Sequence, residues 1–212
     1  MVERVQVKEL LPSAFEQFKS ALATFVDDLN LVHGPGLQKS PFEEPAPYNT
    51  YSLTQIPNYM KEGDFYAQLE EVEQVVVSCM DKRAAHSVWE QTDIGKGKTL
   101  FLSVAGGPVQ NKKRLAAMEK IAYFLAAFDN IKKVVLIGNE HLCGAVQHFL
   151  GDKRKIMKRL IADGAGIWID AFGDDKVFAK LAVINEAGQT VRLEEVDVKK
   201  SKIKPLSIES LL

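Results

Sequence analysis

An α/β fold with a mostly parallel central sheet is what this chain predicts, and three observations carry the expectation. Short apolar runs rich in β-branched residues recur at 73–79, 99–104 and 132–138. Helical stripes separate or follow them, over 112–128 and 152–163. Parallel strands need such crossovers and are buried on both faces, which is why their strands read as continuous apolar runs rather than as alternation. The tail, 177–185 and 189–198, reads as an antiparallel hairpin turning at Glu186-Ala187-Gly188, placed at one edge of the sheet.

Taken in order, residues 13–30 have the pattern of an amphipathic helix. Ser13 and Glu16 suit a capping box after Pro12, and Phe15, Phe18, Leu22, Phe25, Val26 and Leu29 recur at helical spacing. Such a stripe is core or subunit contact, and no site is expected on it. The helix should stop at His33-Gly34-Pro35-Gly36. Residues 34–64 hold five of the eight prolines together with Tyr48, Tyr51 and Tyr59, too aromatic for a free linker, so an ordered arm is expected. A short helix over 63–71 leads into the strand 73–79, and a turn or short helix over 82–90 into Thr99–Val104. The 112–128 helix should bury Leu115, Met118, Ile121, Ala122, Leu125 and Phe128. After the strand 132–138, one helix is expected at or after Cys143-Gly144 and another over 152–163, with Ile156, Met157, Leu160 and Ile161 inward. Ile167-Trp168-Ile169-Asp170-Ala171-Phe172 reads as a fourth strand. The expected organisation is one α/β domain over 1–212, with a helical and Pro/Tyr-rich arm at 1–62 and a catalytic-type core at 72–198.

Composition narrows the function classes. A formal net charge of -1, with 46% hydrophobic and 26% charged residues, suits a globular domain and gives no general attraction to nucleic acid or anionic lipid. No apolar run approaches the roughly 20 residues that cross a bilayer. Residues 1–9 carry acids and lack an apolar h-region, so a cytoplasmic location is expected. Two cysteines in 212 residues are not a disulfide framework.

The reactive residue types gather at strand ends. The run Val75-Val76-Val77 leads to Cys79, Asp81 and Arg83 at alternate positions. Val134-Val135-Leu136-Ile137-Gly138 leads to His141 and Cys143. Parallel strands end on one edge of a sheet, so Cys79 and Cys143, 64 residues apart, can converge there. Two thiolates and an imidazole are a typical zinc set with a fourth tetrahedral position to spare. The competing reading of these residues is two buried structural cysteines and a surface histidine. Asp81 and Arg83 are either a surface ion pair of little weight or a switch, with Asp81 choosing between the metal, as a candidate fourth ligand, and a bidentate hydrogen bond to Arg83. Ala105-Gly106-Gly107 follows the strand that lies between the two cysteine strands in the sequence and marks a turn or a close backbone approach. Gly95-Lys96-Gly97-Lys98-Thr99 is not a phosphate loop: Thr92 stands where that motif needs glycine, and the segment opens a strand instead of a helix.

In order and spacing these residues resemble the β-class carbonic anhydrases, whose pattern is a strand ending in Cys-x-Asp-x-Arg, an Ala-Gly-Asn segment after the next strand, and an apolar strand ending in Gly-His-x-x-Cys-Gly. Cys79-Met80-Asp81-Lys82-Arg83 matches the first part, Ala105-Gly106-Gly107 stands at the second, and Cys143-Gly144 closes the third; the match spans 73–150, about a third of the chain. The chain departs from the pattern in two places. Asn139 follows Gly138 where the family has histidine, with His141 only two residues before Cys143, and Gly107 replaces the asparagine. Gln38 and Gln55 lie in range of the family's N-terminal substrate glutamine, but no motif marks either one.

The resemblance implies zinc held by Cys79, His141 and Cys143, with Asp81 and Arg83 as catalytic residues and Ala105, Gly106 and Gly107 beside the substrate. It implies reversible hydration of carbon dioxide to bicarbonate by a metal-bound hydroxide. Arg83 would keep Asp81 off the metal. It also implies a homodimer or higher homo-oligomer, with the 13–60 arm across the interface, and no nucleic-acid or membrane partner. Two other readings stand beside it: a carbonic-anhydrase-like zinc-binding protein without this activity, with a regulatory, binding or altered reactive role, and an unrelated α/β protein with a cysteine redox or nucleotide role.

Overall fold

The computed structural model describes residues 15–25, 69–79, 99–104, 106–109, 112–140, 152–185 and 190–198. Among them, helix α1 runs over residues 15–25. It is followed by β1 (Gln74–Cys79), β2 (Thr99–Val104), α2 (Lys112–Ala126), β3 (Lys133–Asn139), α3 (Lys153–Phe172), β4 (Val177–Ile184) and β5 (Thr190–Val196). The strands form one five-stranded sheet in the order β2-β1-β3-β4-β5. The pairs β1–β2, β1–β3 and β3–β4 are parallel, and β4–β5 is antiparallel. The mostly parallel sheet with an antiparallel edge hairpin therefore matches the sequence expectation, although the residues of the hairpin turn, 186–189, lie outside the described residues.

The apolar runs become strands because both of their faces are buried. Val75 and Val77 join Leu100, Leu102, Val104, Val134 and Leu136 in the larger core, together with the inward faces of α1, α2 and α3. Val76 falls on the opposite face with Val135, Ile137 and Ala182. Each alternate residue of β1 thus leaves water, which at roughly 25 cal/mol per Å² of apolar surface is the main force holding the strand in the sheet's centre. Asn130 ties the loop before β3 to the segment before β1: its Nδ2 donates to the Leu69 carbonyl at 2.6 Å and to that of Val72 at 2.5 Å.

α1 keeps its predicted stripe within the described residues, with Phe15, Phe18, Ala21, Leu22 and Phe25 all buried. Phe18 stacks on Phe124 of α2 with ring centroids 4.4 Å apart. The rest of the 13–30 helix, the capping box at Ser13, the 34–64 arm and the 82–90 turn lie outside the described residues, as does the helix at or after Cys143; the 63–71 helix is described only from Leu69. On α2, Met118, Ile121, Ala122 and Leu125 are buried as the stripe predicts, Leu115 near the start of the helix is only half-buried, and Phe128 packs against the core from the following turn.

One expectation is corrected. Residues 167–172 are the last turns of α3, not a strand. The stripe Met157, Leu160, Ile161, Gly164, Ala165, Trp168 and Phe172 continues at helical spacing, and all seven residues are buried. The β-forming character of Ile167, Trp168 and Ile169 is overridden by that packing. The helix starts at Asp152, whose carboxylate accepts the Lys155 N–H at 3.1 Å. It stops at Gly173, with φ +92, whose N–H bonds the Ile169 carbonyl at 2.8 Å. The fourth parallel strand is instead the first arm of the hairpin, Val177–Ile184.

Candidate functional site

The direction of the chain defines a crevice. From β1 the chain moves to β2 on one side, and from β3 it moves to β4 on the other, while β1 and β3 lie side by side. This is a topological switch point, and in open α/β sheets ligands bind beyond the carboxyl ends of the strands that flank it. Cys79 is the last residue of β1 and Asn139 the last of β3. The two strand ends on which the sequence places Cys79 and the 141–143 segment are therefore neighbours in one sheet.

Cys79 is 5% exposed and has Val104 of β2 opposite it. Continuing the β1–β3 register one residue past Ser78 and Ile137 sets it level with Gly138, which pairs with Leu181, which in turn pairs with Glu194. By strand alternation Cys79 is in phase with Val75 and Val77, on the face covered by the helices. Asn139 is in phase with Val135 and Ile137, on the opposite face, and is 2% exposed. So Asn139, which directly follows Gly138, is buried on the face away from Cys79.

The turn after β2 closes over these strand ends. Gly106 and Gly107 have φ of +82 and +60, and the Gly107 N–H bonds the Val104 carbonyl at 2.9 Å. A Cβ on Gly107 would stand 2.9 Å from the Cys79 nitrogen and 3.1 Å from the Ile137 carbonyl oxygen. No side chain fits there, which gives a physical reason for glycine where the resemblance would place asparagine. The turn then reaches α3: the Pro108 carbonyl oxygen lies against Gly164 so closely that a Cβ there would overlap it.

Asp81, Arg83, Ala105, His141 and Cys143 lie outside the described residues. Among the described residues, no group of three His, Cys, Asp or Glu is placed to hold a metal. Of the candidate ligands, only Cys79 is among them.

Sequence reasoning passed over the other feature at this edge. Lys153, Arg154, Lys155, Lys158 and Arg159 crowd the first two turns of α3. Glu194 of β5 pairs with Arg154, with Lys158 at 2.9 Å and with Arg192 at 2.9 Å, and its side chain is 17% exposed. The signal was legible as a basic run that opens a helix.

No protein-family model matches the chain, and no curated protein is significantly similar to it. Among the described residues, no helix is long and apolar enough to cross a membrane.

Proposed function

We propose that this protein is a β-carbonic-anhydrase-like zinc enzyme that reversibly hydrates carbon dioxide to bicarbonate. The observation supporting the reading most directly is the adjacency of β1 and β3 at the switch point, with Cys79 ending the one and His141 and Cys143 following the other by two and four residues. Zinc bound there would lower the pKa of a coordinated water to near neutrality, supplying hydroxide at neutral pH. The chain's own residues then have separate tasks. Cys79, His141 and Cys143 would hold the metal. Arg83 would hold the Asp81 carboxylate through paired hydrogen bonds and so keep it off the metal. Asp81 accepts a hydrogen bond from the attacking water and orients it. The apolar carboxyl ends of β1 and β2, with the Gly106-Gly107 turn, would border the site of a small neutral substrate. A homodimer, with the N-terminal arm across its interface, belongs to the same reading.

A second reading, a zinc-binding relative without hydration activity, draws on the packing of Gly107 and the burial of Asn139. The first removes the asparagine of the resembled pattern, and the second moves its histidine two residues along. Metal analysis and stopped-flow hydration of carbon dioxide decide. Stoichiometric zinc with catalysed hydration supports the first reading. Zinc with hydration no faster than buffer supports the second, and absence of zinc from protein purified without chelator removes both.

A further inference from the structure

α3 carries its charge against its own dipole. Helix N-termini favour acids and C-termini favour bases, each worth about 0.3–1 kcal/mol at exposed positions. Here the first two turns hold Lys153, Arg154, Lys155, Lys158 and Arg159, and the far end holds Asp170, Asp174 and Asp175. The first turn contains no acid and the last no base. This placement works against the helix, so helix stability does not account for it.

Its location does suggest a purpose. Gly138, level with Cys79, packs against Ile161 and Met157, so the residues of α3 before Met157 extend toward and past the sheet's carboxyl edge by roughly 6 Å, at about 1.5 Å per residue. Glu194, which meets Arg154 and Lys158, lies in the same register row. The charged groups that α3, β3 and β5 bring to this edge are thus the five α3 cations and Arg192, against Asp152, Glu140 and Glu194, and the first turn of α2 starts at the same edge with Lys112, Lys113 and Arg114. Glu194 engages Arg154, Lys158 and Arg192, while Lys153, Lys155 and Arg159 are exposed. The positive end of the helix dipole adds to the same field, while the opposite edge carries Glu73, Asp129, Asp170, Asp174 and Asp175 against Lys132, Lys133 and Lys176.

We propose that the carboxyl edge of the sheet is an anion-collecting surface whose ligand is a small anion. The anion's identity as bicarbonate rests on the hydration reading above; the collecting surface does not. The field raises the local concentration of anions at the switch point, and it fades as salt shortens the Debye length from about 30 Å at 0.01 M to about 10 Å at 0.1 M.

The test measures potential residue by residue, without needing activity. Backbone amide relaxation by a carboxylate-bearing nitroxide is compared with that by its neutral carbamoyl analogue, at about 0.01 M ionic strength. The anionic probe should relax Gly106, Gly107, Asn139, Glu140 and residues 153–159 a few-fold more than the neutral one, with the order reversed at Asp170–Asp175. The variant K155E/R159E should abolish the excess. Its new acids suit a helix N-terminus, so it should melt no lower than the parent and remain comparable. Bicarbonate, titrated at constant ionic strength, should shift the Gly106, Gly107, Asn139 and Glu140 amides in the parent and bind a few-fold more weakly to the variant. Equal relaxation by both probes at this edge, or an excess untouched by K155E/R159E, overturns the proposal. A surviving excess with no bicarbonate shifts removes bicarbonate as the ligand, whatever the hydration assay shows. A surviving excess and bicarbonate binding in a protein that does not hydrate carbon dioxide would sink the enzyme reading alone.

Discussion

Pro108 and Gly164 meet backbone to backbone, locking the turn that follows β2 onto the middle of α3. Because the same turn lays Gly107 against the ends of β1 and β3, this contact sets the height of α3 over the switch point. Gly164→Ala should therefore destabilise the protein by about 1–3 kcal/mol, the usual range for overpacking. Gly166, two residues on, has nothing within 4 Å of where its Cβ would be. Gly166→Ala should stabilise by about 0.5–1 kcal/mol, since it removes backbone entropy inside a helix at no steric cost. Urea midpoints for the two variants should move in opposite directions, and a shift of both the same way would contradict this packing.

Gly107 is constrained twice, by its φ of +60 and by the Cys79 nitrogen 2.9 Å from its missing Cβ. A left-handed conformation alone costs an L-residue about 1–2 kcal/mol, and the overlap adds to it. Gly107→Ala should lose at least about 2 kcal/mol in chemical denaturation. Gly107→Asn, which restores the residue type of the resembled pattern, should be no more stable than Gly107→Ala, because its longer side chain meets the same two strand ends. An asparagine variant as stable as the parent would mean that the turn can lift away from them.

How much of this was legible beforehand follows from the range of each interaction. The three parallel strands and the hairpin announce themselves through local apolar runs and turn residues, so their ranges agree with expectation within a residue or two. Residues 167–172 do not, because Ile167-Trp168-Ile169 has strand-like composition and its helical state is decided by burial of Trp168 and Phe172. The Pro108–Gly164 contact joins residues 56 apart and leaves no local trace beyond a glycine inside a helical stripe. For the site, that β1 and β3, the strands leading to Cys79 and to residues 141–143, end on one edge could be inferred from parallel strands. Their adjacency needed the strand order, which depends on the chain reversing direction after β2.

Removing Cys79 tests the metal set from its described member. Cys79→Ser replaces a soft thiolate with a poor zinc donor, so bound zinc should fall from stoichiometric to near zero by elemental analysis. Arg83→Ala should behave differently. On the proposed reading, in which Arg83 is not a ligand, zinc should stay while hydration falls by at least about tenfold, equivalent to about 1.4 kcal/mol, because Asp81 is freed to bind the metal. Zinc retained in Cys79→Ser would exclude this thiol as a ligand, and unchanged hydration in Arg83→Ala would count against the gating role.

Glu194 is the counter-ion for three cations, and the consequence can be measured without reference to any activity. Glutamine at this position keeps the shape but leaves Arg154, Lys158 and Arg192 facing one another. Single exposed ion pairs are worth about 0–1 kcal/mol, but one carboxylate shared by three partners counts for more than an isolated pair. Glu194→Gln should therefore cost about 1 kcal/mol at low salt. Screening weakens the repulsion it exposes, so the deficit should shrink by half or more between about 0.05 and 1 M NaCl. The K155E/R159E double variant places acids among the same cations and should gain stability at low salt instead. If Glu194→Gln loses the same stability at every salt concentration, the cost comes from packing, and Glu194 would have to be regarded as a structural plug between β5 and α3.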